Sequence, residues 1–188
     1  MTPMLGIMAS QISGHLAAAG SYDSIQTVSV GSGGQATISF TSIPATYTHL
    51  QIRAIVRTAR ASTADYLYVR YNSDTATNYS AHEVAGDGTS ASAYGLSTVA
   101  RMQIDTFPAA SATAGMFGAF VLDLLDYANT NKYKTQRTLT GFDENGSGGV
   151  TLISGNWRST SAVTQIDITS GTASNISQYS SFALYGIK

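Results

Sequence analysis

The sequence predicts an all-β chain, either an antiparallel β-sandwich or a closed barrel. Three observations carry this. Apolar and polar residues alternate with period 2 in several short runs, as they do along a strand with one buried face. Eighteen Gly but only three Pro punctuate the chain between those runs, which is how turns separate strands. The turn signals recur about every eight to fifteen residues, giving about ten short strands, with no tandem repeat of fixed period to suggest a solenoid or propeller.

Taken in order, the first elements are SIQTVSV and QATISF on either side of GSGG. Val28 and Val30 alternate with Ser29, and Ile38 and Phe40 with Thr37 and Ser39, so the two runs read as a hairpin closed by a glycine loop. THLQIRAIVRT follows, with Leu50, Ile52, Ala54 and Val56 on one face and Gln51, Arg53 and Arg57 on the other. Val28, Val30, Ile38, Phe40, Leu50, Ile52 and Val56 are the expected core. DYLYVRY (65–71) is tyrosine-rich and β-prone. Further strands are expected around 99–107, 134–142, 150–154, 163–169 and 180–187. MFGAFVLDLLDY is ambiguous: Phe117, Phe120, Val121, Leu124 and Leu125 fit a helical face, yet a continuous apolar run also fits a strand buried on both sides. Gly115, Gly118 and the β-rich surroundings favour the strand.

Composition narrows the function. Ten Lys and Arg against eleven Asp and Glu give a net charge of −1 and a pI near 6.2, leaving no basic surface with which to neutralise phosphates, so no nucleic-acid partner is expected. Charged residues are 11% of the chain, where soluble domains carry about 25%, while Ser and Thr supply roughly a quarter. Zero Cys excludes disulfides, thiolate zinc sites and a cysteine nucleophile. No apolar run approaches the roughly 18 residues of a membrane span, and mean hydropathy is only +0.02, so no membrane partner is expected. The opening MTPMLGIMASQISG lacks the basic residues of a secretory signal, which argues against a Sec-exported precursor. Residues 1–22 instead read as an apolar, uncharged arm in which Met4, Leu5, Ile7, Met8, Ile12 and Leu16 form an interface, ahead of a sandwich domain at 23–188.

Motifs for catalysis are missing. His15, His49 and His82 stand singly, without the spacing that would put two ligands on one face, and GxSxG is absent. DENGSGG lacks the alternating oxygens and closing Glu of a calcium loop, so Asp143, Glu144, Asn145 and Gly146 read as a turn, as do Asp87 and Gly88. Asp123 and Asp126 read as a turn or a strand end rather than a glycosidase pair. No enzyme activity, metal or cofactor is therefore expected. Eleven Tyr and the single Trp suit sheets and protein interfaces, and they could also form a platform for sugar stacking. The most ligand-like patch is GNWRSTS, a predicted loop, so Trp157, Arg158 and Tyr94 are the candidate glycan contacts.

PMLGIMASQISG, GSYDSIQTVSVGSGGQATISFTSIPATYTHLQIR, LDLLDYANTNKYKT and the closing YSSFALYGIK together resemble a group of tailed-bacteriophage virion proteins. The resemblance covers most of the chain, and FTSIPATYTHLQIR and DYANTNKYKT are its most specific parts. It implies a β-sandwich of jelly-roll character used as a homotrimer, either as a cement (decoration) protein on the capsid exterior or at the distal end of a tail fibre or tailspike. The first role makes the major capsid protein the partner, while the alternative is a receptor-binding tip that recognises a host surface glycan. The absence of a fibrous stem or heptad repeat suits the cement role better.

Overall fold

A computed structural model describes residues 21–188, and all of its regular structure there is β. The strands are β1 (Tyr22–Ser29), β2 (Thr37–Phe40), β3 (His49–Val56), β4 (Ala64–Tyr71), β5 (Tyr79–Gly86), β6 (Ala91–Val99), β7 (Met102–Pro108), β8 (Gly118–Leu125), β9 (Lys134–Asp143), β10 (Gly148–Trp157), β11 (Ile166–Ser170) and β12 (Ser181–Ile187). They form an eight-stranded sheet, β1-β12-β3-β8-β9-β10-β5-β6, and a four-stranded sheet, β2-β11-β4-β7. Every pairing is antiparallel.

The topology is a jelly roll. β1 pairs with β12, β2 with β11, β3 with β8 and β4 with β7, a nested set in which the chain behaves as one long hairpin rolled into two facing sheets. Two further hairpins, β5–β6 and β9–β10, interrupt the roll after β4 and after β8. Both join the larger sheet, which therefore extends past the edge of the smaller one. β7 ends the small sheet and packs over β8, β9, β10 and β5.

Alternation explains the core. Leu50, Ile52, Ala54 and Val56 of β3 are buried, as are Phe120, Leu122 and Leu124 of β8 and Phe182 and Leu184 of β12. Facing them are Ile38 and Phe40, Leu67, Val69 and Tyr71, and Ile166 and Ile168 from the small sheet. Of the seven expected core residues six are buried, and Val28 is half-buried against the same cluster.

The pairing of the first two strands differs from the expected hairpin. β1 and β2 lie in different sheets: the GSGG turn, closed by Gly34 N donating to Gly31 O at 3.2 Å with Gly33 and Gly34 at φ of 91° and 75°, carries the chain across the sandwich rather than into a hairpin. Period 2 specifies which face of a strand is buried; it does not specify the neighbour, because the interior of a sandwich satisfies both strands equally. β5 and β6 were not anticipated, since SAHEVAG and ASAYGLSTV carry few large apolar residues. MFGAFVLDLLDY does contain a strand, β8, but its second face is not buried: Ala119 is exposed and Val121 and Leu125 only half-buried.

Side chains pin the connections. The Arg57 guanidinium donates to the carbonyls of Ala110, Ala112, Thr113 and Met116, fixing the loop between β7 and β8. Buried Asp65 accepts from Ser170 Oγ at 2.6 Å and from Thr172 Oγ1, tying β4 to the end of β11. Thr58 Oγ1 is enclosed with no hydrogen-bond partner among the described residues. Thr58→Val keeps the shape and removes the unsatisfied hydroxyl, so it is expected to raise unfolding stability by about 1 kcal/mol. A loss in urea denaturation would show that the hydroxyl is satisfied.

Candidate interface and cleft

The outer face of the eight-stranded sheet should be polar where it meets water, and part of it is not. Strand register sets Ala93, Val84, Leu152, Leu139 and Val121 side by side across β6, β5, β10, β9 and β8. The next row of this face runs Val150, Gly141, Ala119 and Ile55 across β10, β9, β8 and β3. Ile55, Val84, Leu139, Val150 and Leu152 are each between 52% and 59% exposed. At roughly 100 Å² for each half-exposed aliphatic side chain, they offer about 500 Å² of contiguous apolar surface, near the upper limit for an unpartnered monomer.

The stripe has defined ends. Arg53 continues the row on β3 and lies over the rings of Tyr22 and Tyr185, 5.2 and 5.6 Å from their centroids. Its Nε donates to Gln51 Oε1, and Gln51 Nε2 to Asp123 Oδ1, both at 2.7 Å. Asp123 and Arg137 are register partners, so a polar row borders the aliphatic one. At the β6 end the stripe runs into a shallow groove lined by Val84, Ala93, Leu152 and His82.

The second feature lies on the inner face, where the larger sheet projects past β7. There the β5–β6 and β9–β10 hairpins and the edge of β7 enclose a cleft of about 420 Å³. Its floor is acidic. Glu83 on β5 and Asp105 on β7 are each only 8% exposed, and neither forms an ion pair among the described residues. Gln103 Nε2 donates to Tyr94 Oη at 2.9 Å and to Glu83 Oε2 at 3.3 Å. Asp105 Oδ1 accepts from Thr106 Oγ1 at 3.1 Å. Burial raises the Glu83 pKa, the hydrogen bond from Tyr94 lowers it in part, and the nearby Asp105 carboxylate adds a smaller push upward. The Tyr94 hydroxyl is pushed up to about 12, first by burial and then by its hydrogen bond to Glu83. Tyr66 and Tyr94, both more than two-fifths exposed, form part of the walls.

The predicted contacts separate. Tyr94 is at the cleft. Trp157 is not in a loop and has no free face: it closes β10, is 2% exposed, and packs against Tyr79 and Tyr71 with centroid distances of 6.3 and 5.7 Å. That corrects its assignment as a stacking platform, because both sides of the ring are occupied by protein. Arg158 is half-buried, with Nη2 donating to Thr77 O at 2.7 Å. Met4, Leu5, Ile7, Met8, Ile12 and Leu16 lie outside the described residues. His49 Nδ1 accepts from the Asp126 amide at 3.0 Å, and no group of three or more His, Cys, Asp or Glu able to hold a metal occurs among the described residues.

Sequence reasoning missed Glu83, Gln103 and Asp105, which are brought together from two strands of different sheets. It also missed the stripe, although the signal was present: Val150 and Leu152 alternate with inward-facing Thr151 and Ile153, so β10 carries large apolar residues on both faces. No protein-family model matches this chain, and neither a curated protein nor a solved structure matches it.

Proposed function

We propose that this chain is a virion structural protein, a cement protein that binds the outside of a tailed-phage capsid as a homotrimer. The observation that carries the reading is the aliphatic stripe on the outer face of the eight-stranded sheet. Strands that face only water are disfavoured from carrying Val and Leu in register across four neighbours, as Val84, Leu152, Leu139 and Val121 are here, with Val150 and Ile55 in the next row. A rigid jelly roll holding such a face is suited to docking against the major capsid protein, with the polar row of Asp123 and Arg137 at the rim. The resemblance of the sequence to phage virion proteins supports the same partner. Trimerisation multiplies modest contacts, so that each particle gains avidity from many small interfaces.

Two measurements test this. Purified full-length chain is expected to sediment at three times 19.7 kDa. It should also rebind capsids stripped of it, in hundreds of copies per shell by the logic of multivalent cementing, and raise the temperature at which particles release DNA. A monomer that fails to rebind, or a handful of copies confined to the tail, would overturn the reading and favour the receptor-binding alternative.

A further inference from the structure

The cleft beside β7 lies on the opposite side of the large sheet from the stripe, so docking through the stripe leaves it open. We propose that it is a binding site for a neutral polyhydroxylated ligand, a glycan without acidic substituents. This does not rest on the shell-binding reading.

Charge decides the class of ligand. Among the described residues no Lys, Arg or His lines the cleft, while three carboxylates do, almost buried Glu83 and Asp105 and exposed Asp87, and none of the three has an ion-pair partner there. A sialylated or uronate-containing chain would bring a further negative charge into this partly desolvated space, where repulsion is weakly screened. Hydroxyl donors answer the opposite need. Thr106 Oγ1 is the one partner of the Asp105 carboxylate among the described residues, and its Oδ2 accepts nothing there. Asp105 lines the cleft, and this oxygen is not fully enclosed. An almost buried carboxylate oxygen with no donor is a strong acceptor awaiting one, and a sugar hydroxyl gives a charge-assisted bond.

Shape and surface agree. A volume of about 420 Å³ falls within the roughly 300–1,000 Å³ of small-molecule sites. Tyr66 and Tyr94 offer apolar ring faces beside the acceptors, the combination that suits a ring with one C–H face and a hydroxyl edge. A calcium ion is a poorer occupant, because it takes about six to eight oxygens and the lining carboxylates do not converge into a metal-holding group among the described residues.

The test uses full-length protein and saturation-transfer NMR with the methyl glycosides of glucose, galactose, mannose and N-acetylglucosamine, with N-acetylneuraminic acid as the acidic probe. At least one neutral glycoside is expected to bind, and the acidic sugar to give no signal. The double variant Glu83→Gln/Asp105→Asn should weaken that binding by roughly tenfold or more. It should also melt about 2–4 °C higher than the parent, because two unpaired buried charges are removed, whereas residues placed for stability alone would lower the melting temperature. Binding confined to the acidic sugar, no neutral binding by folded protein, or calcium binding by calorimetry that the double variant abolishes would each overturn the proposal. Rebinding of the double variant to stripped capsids reports separately on the shell-binding reading, which predicts no change.

Discussion

Trp157→Ala is expected to lower unfolding stability by about 4 kcal/mol, in the range for removing a large buried aromatic. The indole is 2% exposed. It stacks on Tyr79 at an interplanar angle of 19° and meets Tyr71 at 46°, so truncation leaves a cavity bounded by two rings that are themselves fully buried. Tyr71 Oη hydrogen-bonds Gln136 Oε1, and Tyr79 Oη donates to the Asp74 carbonyl at 3.2 Å, which limits how far either ring can relax into the space. The indole Nε1 also donates to Asp74 Oδ2 at 2.7 Å. Burial pushes the Asp74 carboxyl up, but hydrogen bonds from Asn78, Trp157 and the Ala76 amide outweigh it and hold the pKa below its ordinary value. A depressed carboxyl stabilises the fold above its unfolded pKa and ceases to do so as pH falls through the lower folded value. The cost of Trp157→Ala should therefore shrink in acid, below the ordinary Asp range near 3.8. Trp157→Phe separates the two parts, keeping much of the packing and losing the indole bond, for about 1–2 kcal/mol. Urea denaturation of both variants decides the matter. A loss under about 1 kcal/mol for the alanine variant would mean that the ring is not the wedge its surroundings imply.

The burial of Trp157 shows what a sequence can and cannot say here. The strand at 49–56 was legible because Leu50, Ile52, Ala54 and Val56 repeat with the period of a pleat, and a pleat is local. The turn at Asn145 and Gly146 was legible for the same reason: both adopt positive φ, 51° and 103°, between β9 and β10. Partnership is not local. Whether Val28 pairs with Ile38 or with Phe182, as it does, depends on how the roll closes. Trp157 read as a loop residue because Gly155, Arg158 and a run of hydroxyls surround it, while its neighbours in space, Tyr71 and Tyr79, arrive from β4 and β5. Asp105 and Glu83 were invisible as a pair for that reason too. What the arrangement adds to the sequence is the meeting of residues from separate strands, and both candidate surfaces are made of such meetings.

The largest expected effect on attachment comes from Leu139→Lys combined with Leu152→Glu. These residues are register partners on β9 and β10, each about half exposed, at the middle of the aliphatic row. Opposite charges placed directly across an antiparallel pair attract rather than repel, so the folded chain should keep its stability to within about 1 kcal/mol. The apolar surface is lost all the same. Two leucines presenting roughly 100 Å² each are worth up to about 5 kcal/mol at 25 cal/mol/Å², and a protein interface returns part of that while adding the cost of desolvating two new charges. Rebinding to stripped capsids is therefore expected to weaken at least a hundredfold per site, with circular dichroism unchanged. Tyr179→Ser is the control. Tyr179 is the most exposed of the large apolar side chains among the described residues, at 77%, but it lies in the connection between β11 and β12 and outside the rows of the stripe, so its loss should leave rebinding intact. If the paired variant rebinds like the parent while Tyr179→Ser does not, attachment runs through the β11–β12 connection. The outer face of the large sheet would then have to be covered by something other than the shell.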